Sequence, residues 1–274
     1  VSRHPFEKKA VVVTGAGSGI GAAICRRFAG PGVSVGMMDL DEAAAESVGK
    51  EVSASGAEVR VFTCDVSDRS DCEDAIGRII HQFGGIDVLV NNAGITQRGP
   101  FTENRISVYE KVMAVNFFGS LYCTKAAIHS IMERKGSIIV MESVAGVTPL
   151  VGRTGYCASK HALHGLFTSL RCEIRKSGAH VMTVCPGFVA TNLQDRALGA
   201  NGGIASHSRS LVGRQTTPEQ VAEAVYQGTL KRKPMLVLTP MGKVGYWISR
   251  LAPNLYERIM TQQFRDEISH LSSR

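Results

Sequence analysis

The chain has 274 residues, 44% of them hydrophobic and 20% charged, which is enough apolar material for a sizeable core and too much for intrinsic disorder. No run approaches the ~20 apolar residues of a membrane span, and residues 1–10 lack the apolar centre of a secretion signal. The net charge is +7, but the segment from Lys231 onward holds eight basic and three acidic residues; a local excess with 6% aromatics does not describe a nucleic-acid-binding face.

Apolar runs rich in β-formers alternate with amphipathic stretches along most of the chain. Residues 10–14 predict a strand and 19–28 a helix; 33–38 predict a second strand, followed by an Ala/Glu-rich helix from Asp41. A third strand over 58–64 precedes a helix over about 68–83, and a fourth, short strand covers 87–90. A long helical region follows over roughly 104–132, then a strand at 137–141, a helix at 155–176 and a strand at 180–185. Continuous rather than alternating apolar strands mean that both sheet faces are covered. The repeated order therefore predicts one doubly wound (Rossmann) α/β domain, a parallel sheet of about seven strands flanked by helices, with its core over residues 8–240.

Residues 189–215 dissolve into Gly, Asn and Ser, and read as either a substrate lid or disorder. Order returns at Thr217-Pro218-Glu219-Gln220, a capping box with Pro at the first helical position. A helix to about 230 and a strand at 235–238 complete the sheet. Residues 241–274 form a helical extension with apolar residues at helical spacing (Trp247, Leu251, Leu255, Ile259, Phe264, Ile268, Leu271). Basic residues flank these positions. Packing on the protein's own fold or on a neighbouring subunit is expected there, in preference to contact with an anionic membrane.

Seven cysteines (Cys25, Cys64, Cys72, Cys123, Cys157, Cys172, Cys185) form no CxxC pair and leave an odd one over, which points to reduced thiols in a cytoplasmic protein. His161 and His164 stand three apart without an acidic or cysteine neighbour at ligand spacing, so no metal site is expected.

Thr14-Gly15-Ala16-Gly17-Ser18-Gly19-Ile20-Gly21 sits where the first strand must turn into the first helix. Glycines there let the backbone approach a pyrophosphate, and the helix N-terminus offers unpaired N–H groups. Asp39 ends the second strand 20 residues after Gly19, as in a dinucleotide site. Its carboxylate suits the two ribose hydroxyls of the adenosine half and repels a 2′-phosphate. Neither Ser18 nor Leu40 supplies the cation that a 2′-phosphate calls for, so the expected cofactor is NAD. A helix-capping role is the competing reading of Asp39.

With these residues in place, the chain resembles the short-chain dehydrogenase/reductase family over about residues 8–240. The glycine turn has that family's Thr-Gly-x-x-x-Gly-x-Gly spacing. Cys64-Asp65-Val66, Asn91-Asn92-Ala93-Gly94, Asn116, Ser143, Tyr156-Cys157-Ala158-Ser159-Lys160 and Pro186-Gly187-Phe188-Val189-Ala190-Thr191 follow in family order. Ser143 lies 27 residues after Asn116, Tyr156 another 13 on, and Lys160 four after that. Glu142 departs from the pattern, where a Ser is frequent; it is not a catalytic position.

Tyr156 and Lys160, four apart, share one helix face. A phenol with pKa near ~10 is a poor base at neutral pH, but a neighbouring ammonium and a nicotinamide cation both favour the phenolate. The resemblance implies that Lys160 also bonds the nicotinamide ribose, that Ser143 bonds the substrate oxygen, and that Asn116 holds a water linking Lys160 to solvent. It also implies that Asp65 and Val66 flank the adenine, that Asn92, Ala93 and Gly94 line the cleft, and that Val189 and Thr191, after the Pro186-Gly187 turn, bind the carboxamide. Taken singly, these residues read as ordinary helix, surface and turn positions; jointly, at these spacings, they read as a site.

The expected activity is NAD-dependent interconversion of a secondary alcohol and a ketone. A 3-oxoacyl or carbonyl reductase would use the same residues, and a nucleotide-binding regulator without turnover is the alternative from another class. Val144, Val147, Leu150, Val151 and Phe188 near the site favour a lipophilic small-molecule substrate. The resemblance further implies a homotetramer or dimer built on the helices around 104–132 and 155–176.

Overall fold

A computed structural model describes residues 4–205 and 215–264. Seven strands form one parallel sheet in the order β3-β2-β1-β4-β5-β6-β7: β1 Ala10–Thr14, β2 Ser34–Asp39, β3 Glu58–Thr63, β4 Val88–Asn91, β5 Ser137–Met141, β6 His180–Cys185 and β7 Met235–Val237. Consecutive residues point to opposite faces. Val11 and Val13 enter a core beneath α1 (Gly19–Phe28), α2 (Glu42–Ser53) and α7 (Pro218–Leu230). Val12 enters the opposite core, beneath α3 (Arg69–Phe83), α5 (Gly119–Glu133) and α6 (Thr154–Glu173). Strands apolar on both faces therefore end as the middle layer of three.

Local chemistry sets the helix starts. Asp41 and Asp68 accept from the N–H groups of Ala44 and Asp71, each at 3.0 Å, and Thr217 with Gln220 closes the expected capping box. Asp41, not Asp39, caps α2, so Asp39 is released from that role.

Besides shifts of one residue at several strand ends, three differences from the sequence expectation bear on the site. Asp87 precedes β4 rather than joining it: the carboxylate accepts from Lys9 Nζ at 3.0 Å, Arg134 Nη1 at 2.9 Å and the Ala10 N–H at 2.9 Å, tying the bottom of the sheet. The long helical region is interrupted. α4 (Ile106–Met113) passes through a wider turn, Ala114–Phe118, into α5; there the Gly119 N–H reaches back five residues to Ala114 O. The helix expected to Lys176 ends at Glu173, followed by a single tight turn, Arg175–Ser177.

The described part of 189–215 is pinned. Leu198 pairs with Gln97 and with Ile204, Val189 pairs with Thr216, and Ala197 is fully buried. Residues 206–214 of this expected lid lie outside the described residues, as do Ile268 and Leu271 of the tail. The tail folds into α8 (Pro240–Leu251) and α9 (Pro253–Gln263). Its packing is narrower than expected: Tyr256 and Phe264 are buried, but Met241, Val244, Trp247, Leu251, Leu255 and Ile259 are exposed. α8 meets the body at its first turn, where Gly242 lies against Val144.

Candidate active site

The order β3-β2-β1-β4 reverses direction at β1, and the crevice outside the carboxyl ends of β1 and β4 is where an open α/β sheet binds ligands. Two side chains build that crevice. Thr14 Oγ1 accepts from the N–H groups of Asn92 and Ala93, both at 3.0 Å. Asn92 Nδ2 donates to Thr14 O at 2.9 Å and Gly15 O at 3.1 Å. The glycine turn is thereby fixed to the end of β4.

Its glycines are sterically required. A Cβ on Gly21 would lie 2.0 Å from Gly15 O, and Gly15 holds a positive φ of 65° with Ala93 Cα 2.9 Å from its missing Cβ. Asp39 Oδ2 accepts from Gly17 N–H at 2.7 Å and Oδ1 from Asp41 N–H at 3.0 Å, which places the carboxylate against the turn with lone pairs remaining on both oxygens. Leu40 beside it is exposed.

These residues fit a dinucleotide. α1 begins at Gly19-Ile20-Gly21 with no side-chain cap from Ser18 and no acidic residue in its first turn. Its free N–H groups and dipole are available to an anion, and a Cβ would fill the cradle in front of them. Thr191 lies against Gly19, its Cγ2 3.3 Å from where a Cβ would stand. On the far side, Asp65 Oδ1 accepts from Ser67 N–H at 2.9 Å and Ser67 Oγ at 2.7 Å, while Val66 packs on Gly119 at the head of α5. Pro186 O accepts from Val144 N–H at 3.0 Å, joining the 186–191 turn to the residue after Ser143. Gly187 sits under Thr239, and Val189 is buried.

Ser143 follows β5, and its Oγ accepts from Ala145 N–H at 3.1 Å. Tyr156 and Lys160 project from one face of α6; Lys160 Nζ lies 5.7 Å from the centre of the Tyr156 ring and donates to Met141 O at 2.7 Å. Gly94 brings the group together, its would-be Cβ 3.2 Å from Asn116 Oδ1 and 3.7 Å from Lys160 Nζ.

The electrostatics differ from expectation in one respect. Burial pushes the Tyr156 phenol up to about 12, opposed by hydrogen bonding to Ser143, and pulls the Lys160 ammonium down to about 8. In the protein alone desolvation therefore outweighs the help expected from the lysine, whose ammonium is hydrogen-bonded to Met141 O.

Asn116, fully buried in the wide turn, commits its side-chain amide to protein. Oδ1 accepts from Ile95 N–H at 2.8 Å, and Nδ2 donates to Ile95 O at 3.0 Å and Ser159 Oγ at 2.9 Å. Only one lone pair of Oδ1 is left for the expected water, so the side chain clamps the 94–96 loop onto α6.

Gln97 escaped the sequence reading, and so did the partner of Glu142. Gln97 is fully buried, and its Oε1 accepts from the Tyr156 N–H at 3.1 Å, fixing the first turn of α6. No spacing announces it, because its partner lies 59 residues away. Glu142 Oε2 lies 3.1 Å from His164 Nδ1, so His164 does have an acidic partner, brought there by the β5–α6 packing. His161 bonds Cys157 O at 2.9 Å, and among the described residues no three such side chains gather to hold a metal ion. Burial raises the Cys157 thiol to about 11, which keeps it from serving as a thiolate.

The tail reaches this region. The Gly242 Cβ position is 2.8 Å from Val144 Cγ2, and buried Tyr256 lies near Thr148.

A family model for short chain dehydrogenases matches residues 9–201. The chain is similar to dehydrogenase/reductase SDR family member 7B of Mus musculus, 34% identical over 278 residues that cover 99% of this chain and 86% of the mouse protein. Among solved structures it resembles a short chain dehydrogenase/reductase from Burkholderia phymatum in complex with NAD. The TM-score is 0.80 at 25% identity, covering 91% of this chain and 95% of that one. It also resembles an alcohol dehydrogenase from Thermococcus sibiricus complexed with 5-hydroxy-NADP, with TM-score 0.72 at 25% identity over 84% of this chain and 95% of that one.

Proposed function

The chain belongs to the short-chain dehydrogenase/reductase family, and from that premise we propose that it is an NAD-dependent oxidoreductase interconverting a secondary alcohol and a ketone. The observation that carries this reading is the convergence of Ser143, Tyr156 and Lys160 at the crevice that also holds the glycine turn. A regulator without turnover would not need that set.

When bound, the nicotinamide supplies hydride transfer at the substrate carbon and, oxidised, a positive charge that favours a phenolate. Tyr156 takes the proton from the alcohol oxygen in oxidation and returns it in reduction. The Lys160 ammonium stabilises the phenolate, and Ser143 donates to the substrate oxygen. Asn116 and Gln97 hold the two loops that position α6. Asp39 favours NAD: the two solved neighbours carry different cofactors, so the acidic residue at the end of β2 makes the choice.

Val144, next to Ser143 in the chain and in contact with α8, together with Val147 and with Phe188 of the 186–191 turn, supports a lipophilic substrate. Assembly as a dimer or tetramer is supported by the exposed Phe118, stacked on Tyr122 at the head of α5. The direct test is reduction of NAD+ by a panel of lipophilic secondary alcohols, with ketones and NADH in the reverse assay. Turnover with several of them supports the reading; none in either direction removes it.

A further inference from the structure

Glu142 stands one residue before Ser143, where the family resemblance leads one to expect a serine. It is 3% exposed. Oε2 accepts from Cys185 Sγ at 3.4 Å and meets His164 Nδ1 at 3.1 Å, whereas Oε1 is buried with no hydrogen-bond partner. A carboxylate so placed is strongly disfavoured unless a cation offsets it. Lys160, 4% exposed, is the second buried charge of the region, and it anchors on Met141 O, the carbonyl immediately before Glu142. Two residues of opposite charge type, one just after β5 and one on α6, thus sit at the same strand end, linked through the Met141 carbonyl.

We propose that Glu142 is a positioning residue, the buried counter-charge that keeps Lys160 an ammonium beside Tyr156, with part-exposed His164 as its link to solvent. This rests on reading Tyr156 and Lys160 as the acid/base pair. Among the described residues, the titratable groups facing Glu142 are Lys160, His164 and Arg171 from α6 and Cys185 from β6. Arg171 turns its guanidinium to Val181 O and Pro234 O, at 2.8 and 2.7 Å, and Cys185 is held as a neutral thiol by burial. Besides His164, which bonds the carboxylate directly, Lys160 is the buried cation at this strand end that Glu142 can oppose, through its place next to the Met141 carbonyl. Desolvation lowers Lys160, and Glu142 is the largest influence opposing it. Removing that negative charge makes a proton easier to lose from Lys160 and from Tyr156 alike, so both ionisations move to lower pH.

The test labels the full-length protein with [13Cε]lysine and follows Lys160 by NMR across pH, its signal assigned by loss in Lys160→Arg. The expected result is a fall of about one pH unit or more in the Lys160 midpoint in Glu142→Gln, the scale of an opposite charge at close range. The basic limb of the kcat profile of the cofactor-loaded enzyme should fall with it. Glu142→Ser, the smaller family-like residue, should show the same fall and serves if the glutamine variant does not fold. An unchanged Lys160 midpoint in the folded variant overturns the proposal, because a merely structural carboxylate would not move it. An inert wild type would count against the oxidoreductase reading, while the NMR midpoint still decides the counter-charge.

Discussion

Lys160 Nζ lies 5.7 Å from the centre of the Tyr156 ring, yet its 2.7 Å hydrogen bond goes to Met141 O. The lysine therefore acts on the phenol through its charge while the end of β5 fixes its position. Since the phenol itself stands at about 12 in the protein alone, proton transfer depends on charges assembled around it. Tyr156→Phe removes the proton and leaves the crevice intact. It should lower kcat by about 10²–10⁴-fold, with NAD+ binding, measured by calorimetry, unchanged. Retention of more than roughly a tenth of kcat would exclude Tyr156 as the acid/base.

The pH dependence follows from Lys160 at about 8. Below that value the lysine is an ammonium and favours the phenolate; above it the charge is lost, whereas Tyr156, at about 12, keeps its proton throughout. For ketone reduction, kcat/KM should be flat through neutral pH and decline above about 8. Lys160→Arg keeps its charge in that range, so the decline should vanish even if the rate is lower. A profile of the wild type that rises steadily from pH 8 to 10 would contradict the assignment.

Asp39 should make NAD(H) the preferred cofactor. Its oxygens already hold the N–H groups of Gly17 and Asp41, so the charge is fixed at the turn. A 2′-phosphate there meets like-charge repulsion and lost ribose hydrogen bonds, together about 2–4 kcal/mol. Equal kcat/KM for NAD(H) and NADP(H) would show that a distant cation such as Arg60 reaches in.

Gly21→Ala tests the cradle. The added carbon would meet Gly15 O at 2.0 Å, a backbone atom that cannot turn aside. Overpacking of this kind costs about 1–3 kcal/mol, and the displaced turn should abolish cofactor binding. A variant of wild-type stability that binds NAD+ normally would mean that the turn is softer than its contacts imply.

The sheet and the cofactor turn were legible in the sequence because their causes are local: strands apolar on both faces, helix caps at fixed offsets, and glycines where a Cβ cannot fit. The Tyr156–Lys160 pair was legible for the same reason, four residues being one helical turn. Glu142 with His164 and Gln97 with Tyr156 were not. Those contacts join residues 22 and 59 apart, and they exist only once α6 packs on the sheet. The partners of Asn116 in the wide turn were also hidden, since they are the distant Ile95 backbone and Ser159. In the tail the helical spacing showed helices over the described residues, whereas which apolar residues are buried, Tyr256 and Phe264, is set by contacts that the spacing does not carry.

The contact of α8 with Val144 gives the tail a testable role. Deleting residues 241–274 removes Gly242 from Val144 and takes away buried Tyr256. KM for lipophilic substrates should rise more than KM for NAD+. Unchanged substrate kinetics in a folded truncated protein would separate the tail from the site, and co-sedimentation of the intact protein with anionic liposomes would assign its exposed face to a membrane instead.

The central claim is that Ser143, Tyr156 and Lys160 perform proton transfer coupled to hydride transfer on NAD. Its most direct test is a single-turnover experiment in which wild type and Tyr156→Phe, each saturated with NAD+, are mixed with an alcohol that the wild type oxidises, while NADH absorbance is followed. The account predicts a rapid NADH burst from the wild type and, from the variant with cofactor still bound, a burst slower by at least about a hundredfold. Equal bursts from the two proteins would contradict it.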